Sequence, residues 1–289
     1  MLNLHKKCIL IRCFSQSNNY FYQLKNVMTH SMITPRPQVF CSKLKLCISI
    51  LGVNLLAFNC STAAQYHASV YLGGTTTKLS HVGPLYFVDE TDLLEQRNNN
   101  FADVTWGLAA AVRLKASGSL QQLVEEFSFG PEFFYFSSAG VGDVWQYRLP
   151  EMNNLTYRLP IKSYRLLVTD EITFKPISQM VFPFFEWGLG VAANQSSYQE
   201  YPRPTYNAPG LTLTQHTQYQ FAYTLGGGLK IDISDWAKLK TNQLQLSLRY
   251  LYANLGSATT SNRSSAFLTT PISVDLSTQT WVAGLTYLI

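Results

Sequence analysis

Residues 279–289, at the end of the chain, read Gln-Thr-Trp-Val-Ala-Gly-Leu-Thr-Tyr-Leu-Ile. Apolar or aromatic side chains occupy every second position, namely Trp281, Ala283, Leu285, Tyr287 and Ile289, and the other phase is smaller and partly polar. A period of two predicts a β-strand, because successive side chains of a strand point to opposite faces. The strand reaches the last residue without a polar tail, which we expect where the last strand pairs with the first to close a barrel.

The same alternation recurs along the chain and predicts eight strands. They cover residues 65–73, 104–114, 120–136, 155–174, 180–192, 218–231, 242–253 and 279–289. The phase of 155–174 is less regular, and we predict a bulge near Pro160, which has no N–H to donate to a neighbouring strand.

The predicted connections alternate in length. Residues 115–119, 175–179 and 234–241 are short, whereas residues 74–103, 137–154, 193–217 and 254–278 are long and polar. Short turns at one end and long loops at the other are typical of up-and-down barrels in outer membranes. The sequence therefore predicts an all-β protein, an eight-stranded antiparallel up-and-down transmembrane β-barrel over residues 65–289.

One phase of these strands carries large side chains, and the other carries mainly Gly, Ala, Ser and Thr. The interior of an eight-stranded barrel is only wide enough for side chains to fill it, so the bulky phase is expected to face lipid. The predicted lipid-facing aromatic residues are Trp106, Phe127, Phe129, Phe133, Tyr135, Phe185, Trp187, Phe221, Tyr223, Tyr250, Tyr252 and Trp281. A β-sandwich with these side chains in its core is the alternative.

Single charged residues interrupt the small phase, and their side chains should point into the barrel. They are Arg113, Glu126, Glu132, Glu186, Lys230 and Arg249, with Arg165 as a further member if the phase of its strand permits. Isolated charges are costly in a water-poor interior, so we expect them to pair with one another. Such a network either only packs the interior or forms part of a gated ion path.

Charge and cysteine are unevenly distributed. Residues 1–64 hold seven of the 22 basic residues, none of the 17 acidic residues and all five cysteines. The remaining chain is slightly acidic, which does not favour a nucleic-acid partner. It also has no cysteine for a disulfide framework or a thiolate metal site.

Residues 32–64 resemble a signal peptide. Lys43 and Lys45 precede a mostly apolar segment at 46–58, and small residues at 61–64 suit cleavage before Gln65. A buried helix of a larger fold is the alternative. We interpret residues 1–31 as an upstream extension, since translation from Met32 would give a signal of ordinary length; peptides from 1–31 in the intact precursor would contradict this.

The sequence resembles the small outer-membrane β-barrel group that includes the OmpA transmembrane domain, OmpX and the opacity-type surface proteins. Residues 284–289, Gly-Leu-Thr-Tyr-Leu-Ile, look like the C-terminal assembly signal of that group, with Gly284, Tyr287 and Ile289 at the matching places; the usual last residue is Phe. Residues 185–191 and 248–256 resemble strands of the group that lead into extracellular loops. The resemblance implies insertion by the outer-membrane assembly machinery and implies no single activity.

The sequence is compatible with two alternative functions. The first is a non-enzymatic outer-membrane surface protein, monomeric and without a cofactor, whose loops contact lipopolysaccharide, other envelope components or host surfaces. The second is a lipid A-modifying barrel enzyme built on His67 and Ser69, which share one strand face but have no carboxylate in that strand to orient the His. His81 and His216 lie in predicted loops, beside no metal-ligand spacing.

Overall fold

In the computed structural model, residues 64–289 are described apart from 81, 83, 88–89, 98–99, 179, 205, 207–209, 242 and 262–269. The predicted extension at 1–31 and nearly all of the predicted signal at 32–64 lie outside the described residues. Within the part that is described, no helix is long and apolar enough to cross a membrane.

The described residues form ten strands and three short 3₁₀ helices. The strands are β1 (Gln65–Ser80), β2 (Leu85–Tyr86), β3 (Thr91–Gln96), β4 (Asn100–Lys115), β5 (Val124–Trp145), β6 (Leu155–Phe174), β7 (Val181–Pro202), β8 (Thr212–Asp232), β9 (Leu244–Thr259) and β10 (Ser273–Leu288). The 3₁₀ helices are Gly118–Gln122, Gln146–Arg148 and Pro150–Met152.

Eight of the strands close into a ring in the order β1-β4-β5-β6-β7-β8-β9-β10, and every neighbour is antiparallel. The ring closes where β10 pairs with β1, from His67 opposite Leu288 to Ser80 opposite Asp275. The other two strands form a small hairpin that adds β3 to the edge of β5. The predicted eight-stranded antiparallel barrel is therefore confirmed, and the sandwich alternative is wrong.

Except for β6, the barrel strands extend further than the sequence predicted toward the end with the long connections. β5 and β7 have 22 residues each and end at Trp145 and Pro202, so much of the predicted loops at 137–154 and 193–217 is strand. The predicted loops at 74–103 and 254–278 shrink in the same way, because β1 reaches Ser80 and β9 reaches Thr259. The outer face of these extensions carries polar residues, which resemble those of a loop in the sequence.

The predicted bulge near Pro160 is wrong. Pro160 pairs with Ala139 in an unbroken register, and β6 alternates between buried and accessible residues from Leu155 to Val168. The register shifts lie elsewhere, next to Glu126 in β5, between Ser196 and Tyr198 in β7, and between Leu276 and Ser277 in β10.

The outer face of the barrel changes character at one level on all eight strands. We call the lower half the part next to the short connections, residues 66–72, 106–114, 126–135, 164–174, 181–191, 221–231, 244–252 and 281–287, and the upper half the part of these strands next to the long connections. Outward residues of the lower half are almost all apolar or aromatic, Asp170 being the charged exception. Outward residues of the upper half are mostly polar, as with Thr156, Arg158 and Lys162 in β6.

The inner face changes at the same level and in the opposite sense. The lower half encloses charged and small side chains with a few large rings among them, whereas the upper half encloses an apolar core. The larger members of that core are Leu79, Phe136, Val144, Leu155, Tyr157, Leu159, Ile161, Tyr198, Leu213, Leu255 and Leu276. The expectation of a small, charged interior thus fits most of the lower half, where Tyr71 and Phe134 are exceptions, and fails in the upper half.

Candidate functional site: the interior of the barrel

All seven charged residues singled out in the sequence lie on the inner face and are buried. An eighth, Glu171, lies among them on β6. The set then holds four basic residues, Arg113, Arg165, Lys230 and Arg249, and four acidic residues, Glu126, Glu132, Glu171 and Glu186. Equal numbers of opposite charges allow compensation, without which such burial would be prohibitive.

Arg249 is the centre of this network. Its guanidinium Nη1 lies 2.9 Å from Glu186 Oε2 and 3.2 Å from Glu132 Oε2, and its Nη2 lies 3.6 Å from Glu171 Oε2. The side chains of Arg249, Glu132 and Glu186 are each at most 3% exposed. One guanidinium therefore joins carboxylates from β5, β6 and β7 across the bore, a use for which its planar set of five donors is suited.

Two further pairs lie closer to the short connections. Arg113 Nε is 3.1 Å from Glu126 Oε1, and Arg113 Nη2 donates to Gln245 Oε1 at 2.8 Å. Lys230 forms an ion pair with Glu171 and also donates to Thr173 Oγ1. Glu171 therefore links the Lys230 pair to Arg249.

Above the ion pairs, aromatic rings and guanidinium groups form a stack. Tyr71 and Phe134 lie parallel, with centroids 5.4 Å apart and an angle of 13° between their planes. Arg249 covers the Tyr71 ring at 4.2 Å, and Arg165 covers the Phe134 ring at 4.3 Å. A desolvated cation over a ring face is attracted by the ring quadrupole, so these rings help to hold both guanidinium groups in the bore.

Sequence reasoning missed Glu171, Tyr71 and Phe134. Glu171 shares the phase of Arg165, so a regular phase for β6 would have found it. The two rings lie in the phase that the sequence pattern predicts to be small, so that pattern does not reveal them. Their signal is glycine on a neighbouring strand: Gly107 and Gly284 both pair with Tyr71. A Cβ at Gly107 would come within 2.6 Å of the Phe134 ring, and one at Gly284 within 2.5 Å of the Tyr71 ring.

The twelve aromatic residues expected to face lipid all lie on the outer face of the lower half or at its boundary, and each is partly or largely exposed. Several of these rings pack against one another in tilted pairs around the barrel. Trp106 lies 5.9 Å from Tyr135, which lies 4.9 Å from Tyr164, and Tyr250 lies 4.9 Å from Trp281. These rings form a partial girdle at the boundary between the halves.

The residues of the C-terminal motif have distinct surroundings. Gly284 is the small inner residue that leaves room for Tyr71. Tyr287 faces outward, and its hydroxyl accepts a hydrogen bond from Gln243 Nε2 at 3.1 Å. Ile289 is 80% exposed, and its backbone N–H donates to the Tyr66 carbonyl at 2.8 Å, which fixes the chain end against β1.

His67 and Ser69 face the bore, close to the short connections. The Ser69 hydroxyl is hydrogen-bonded to Thr286 Oγ1 at 2.8 Å, and His67 Nδ1 has no hydrogen-bond partner among the described residues. His216 is exposed on β8, and His81 lies outside the described residues. Among the residues described, no group of three or more His, Cys, Asp or Glu side chains is placed to hold a metal ion.

At the far end of the upper half, Asp143 joins three parts of the chain. Arg97 Nη2 lies 2.6 Å from Asp143 Oδ1, and Arg203 Nη2 lies 2.8 Å from the same oxygen. The hydrogen bond from Arg97 is the main reason that the pKa of Asp143 lies below its ordinary value. This carboxylate on β5 thereby ties the segments after β3 and β7 to the barrel.

Two buried carboxyl groups support the same end. Burial raises the pKa of Asp92 from 3.8 to about 6, partly offset by the Tyr147 N–H that donates to its Oδ1 at 3.0 Å. Glu200 accepts hydrogen bonds from the Tyr198 hydroxyl and the Leu211 N–H, both at 2.7 Å, and burial raises its pKa as well. Both acids hold connections in place through backbone N–H groups.

No family model matches the chain, and no curated protein matches it. Among solved structures, the neisserial surface protein A is 10% identical with a TM-score of 0.39, and the match covers 78% of this chain and 99% of that one. The outer-membrane protease OmpT of Escherichia coli is 8% identical with a TM-score of 0.43, over 79% and 99% of the two chains. The outer-membrane protein OprG of Pseudomonas aeruginosa is 12% identical with a TM-score of 0.38, over 77% and 95%.

The barrel architecture is established by the closed ring of strand pairings, independently of these matches.

Proposed function

We propose that the chain is a monomeric, non-enzymatic barrel protein of the outer membrane, inserted by the outer-membrane assembly machinery. Its lower half crosses the lipid. Its upper half stands outside the cell and serves envelope structure, adhesion or host interaction, in contact with lipopolysaccharide at its base.

The observation that carries this proposal is the change of the outer face at one level on all eight strands. The apolar parts of six strands, β4 to β9, such as 164–174 in β6, have the length that a tilted strand needs to cross a bilayer, about 9–11 residues, and those of β1 and β10 are shorter. A large continuous apolar belt is not expected on a protein surrounded by water. Trp and Tyr rings at its upper edge fit an interface between hydrocarbon and water.

The interior supports a structural role in place of transport. Ion pairs fill the bore of the lower half, and buried apolar side chains fill the bore of the upper half. A barrel of eight strands has little space beyond its own side chains. The hydrogen bond between Ser69 and Thr286, on the inner face, supports a packing role for Ser69 and disfavours a nucleophile acting on lipid.

Two valines on the outer face provide a matched test. Val168 lies in the apolar belt and is 48% exposed, whereas Val141 lies in the upper half and is 38% exposed. Lysine on the lipid face near the bilayer midplane costs about 2–4 kcal/mol. We expect Val168→Lys to lower the yield of heat-modifiable, folded barrel in the outer-membrane fraction, and Val141→Lys to leave that yield unchanged.

Equal yields for the two variants would contradict the proposal, because a barrel in water would not distinguish the two levels of its outer face. Gel migration with and without heating measures the folded fraction, and fractionation of the envelope measures the amount in the outer membrane.

A further inference from the structure

A groove with a volume of about 350 Å³ lies across β6, β7 and β8 in the upper half. Its floor is Tyr198 and Leu213, both 1% exposed. Its walls are outward side chains, among them Arg158 of β6, Gln199 of β7 and Gln215 of β8. The groove therefore opens away from the bore, on the polar surface above the apolar belt.

The register shift in β7 explains why the sheet is concave here. Ser196 pairs with His216 but Tyr198 pairs with Leu213, so β8 contains one residue more than β7 over this short segment. An extra residue on one strand bends it, raises the local twist and changes the direction of nearby side chains. Thr214 and Gln215, in that segment of β8, line the groove.

The walls of the groove are mainly polar and include one charged side chain. Arg158 is exposed and has no ion pair among the described residues, and no acidic residue lines the groove. The Tyr201 hydroxyl donates to Gln199 Oε1 at 2.8 Å, and Gln215 Nε2 donates to Gln195 Oε1 at 3.1 Å. Each lining amide uses one of its two polar ends in these contacts, and the other end retains its hydrogen-bonding capacity.

We propose that this groove binds an anionic saccharide. Amide and hydroxyl groups at Gln199, Gln215 and Thr214 suit sugar hydroxyls, which both donate and accept. The Tyr201 ring, 42% exposed, offers an apolar face for a sugar ring. The Arg158 guanidinium suits a carboxylate, phosphate or sulfate group, which it can hold through two parallel hydrogen bonds.

The size and position of the groove fit this ligand class. Its volume lies at the lower end of the range for small-molecule sites, about 300–1,000 Å³, which suits a short oligosaccharide segment. Two sources present this chemistry: the phosphorylated core saccharide of lipopolysaccharide in the same leaflet, and a soluble or host glycan. The proposal depends on the surface location proposed above.

The test uses the full-length mature barrel in detergent and three probes of similar size. They are a phosphorylated core oligosaccharide released from lipid A, a sulfated heparin-derived tetrasaccharide and neutral maltotetraose. Calorimetric titration at low salt should show binding of at least one anionic probe. We expect Arg158→Gln to weaken that binding about tenfold, because a charge-assisted bidentate contact is lost.

Lys78→Gln is the matched control, since Lys78 is an exposed cation on β1, outside the groove, and its loss changes the net charge equally. We expect its affinity to stay within about twofold of the unmodified protein, as for a distant surface charge in a screened medium. Ser197→Trp should abolish binding by filling the groove. If the Trp variant does not fold, Gln215→Ala takes its place and should weaken binding. Heat-modifiable migration reports folding for every variant.

Binding of the core saccharide alone would assign the groove to lipopolysaccharide, and binding of the sulfated probe alone would assign it to soluble glycans; both outcomes support the proposal. Binding of neither anionic probe, or equal affinity of Arg158→Gln and Lys78→Gln, would overturn it. Failure of the Val168 and Val141 contrast would overturn the membrane assignment and leave this binding measurement unaffected, so the two failures are distinguishable.

Discussion

The two halves of this barrel use the same strands with opposite distributions of polarity. In the lower half of β6, Val168 faces outward and Arg165 faces the bore, whereas in the upper half Lys162 faces outward and Ile161 faces the bore. The lower interior is held by ion pairs around Arg249, and the upper interior is held by apolar packing. The apolar outer face of the lower half suits lipid, and the polar outer face of the upper half suits water.

The two halves should also differ in how substitutions of their interior residues affect stability. A charge that loses its partner in a water-poor interior is strongly destabilising, because the remaining charge is buried without compensation. A cavity in an apolar core costs the transfer free energy of the lost atoms and a term for the space left behind. The loss of stability caused by a substitution should therefore differ between the two interiors in both its magnitude and its physical cause.

The largest effect is expected in the lower half. Arg249→Met leaves Glu132, Glu171 and Glu186 without their shared cation, and we expect it to lower the free energy of unfolding by about 3–5 kcal/mol. Arg158→Met removes an exposed guanidinium of the upper half and should change that free energy by less than about 0.5 kcal/mol. Urea unfolding in lipid vesicles measures both, and equal losses would contradict the assignment of Arg249 as the centre of the network.

The next effect tests the apolar interior of the upper half. Ile161 is fully buried, so Ile161→Ala should reduce the free energy of unfolding by about 3 kcal/mol, within the range for large-to-small core substitutions. Val141→Ala, on the outer face of the same half, should cost less than about 1 kcal/mol. Amide hydrogen exchange should show faster opening of the upper strands alone in Ile161→Ala. If the lower strands open to the same extent, the two halves unfold as one unit.

The smallest effect is a pH dependence at the far end of the upper half. The pKa of Asp92 is raised to about 6 in the folded protein, so the folded state binds more protons than the unfolded state between about pH 4 and 6. The contribution of Asp92 to the free energy of unfolding should therefore increase as the pH falls through that window. Asp143, whose pKa is lowered by Arg97, acts with the opposite sign only at pH values below its ordinary range.

Limited proteolysis of the hairpin formed by β2 and β3 should be slower at pH 5 than at pH 7 in the unmodified protein. Asp92→Asn should remove that difference, because the titrating group is gone while a hydrogen-bond acceptor for the Tyr147 N–H remains. A pH difference that persists in Asp92→Asn would assign the effect to another group, with Glu200 as the next to test.

Much of the fold could be predicted from the sequence because a period of two is directly visible in it. The bounds of β6 and the number of barrel strands agree with the structure. The upper parts of β5 and β7 were not predicted because their outward residues, such as Asp143 and Gln195, resemble those of a polar loop. Only inward residues such as Val144 and Tyr198 distinguish these segments from a loop, and their role depends on strands that lie far apart in the sequence.

The interior could be predicted only in part for a similar reason. Charged residues in a small phase are conspicuous, but which acid meets which base depends on the register of several strands. Arg249 and Glu132 are 117 residues apart. The stack of Tyr71 on Phe134 likewise depends on the register that brings Gly107 and Gly284 to Tyr71.

The apolar core of the upper half has a consequence for biogenesis. With the lower half in the outer membrane as proposed, its Leu, Ile and Tyr side chains would have to cross the bilayer at the tips of the β-hairpins before they could pack against one another on the far side. We therefore expect the last stage of maturation to be the packing of those tips over a ring that is already inserted. A late intermediate should therefore exist in which the embedded ring resists protease while the protruding tips are still cleaved.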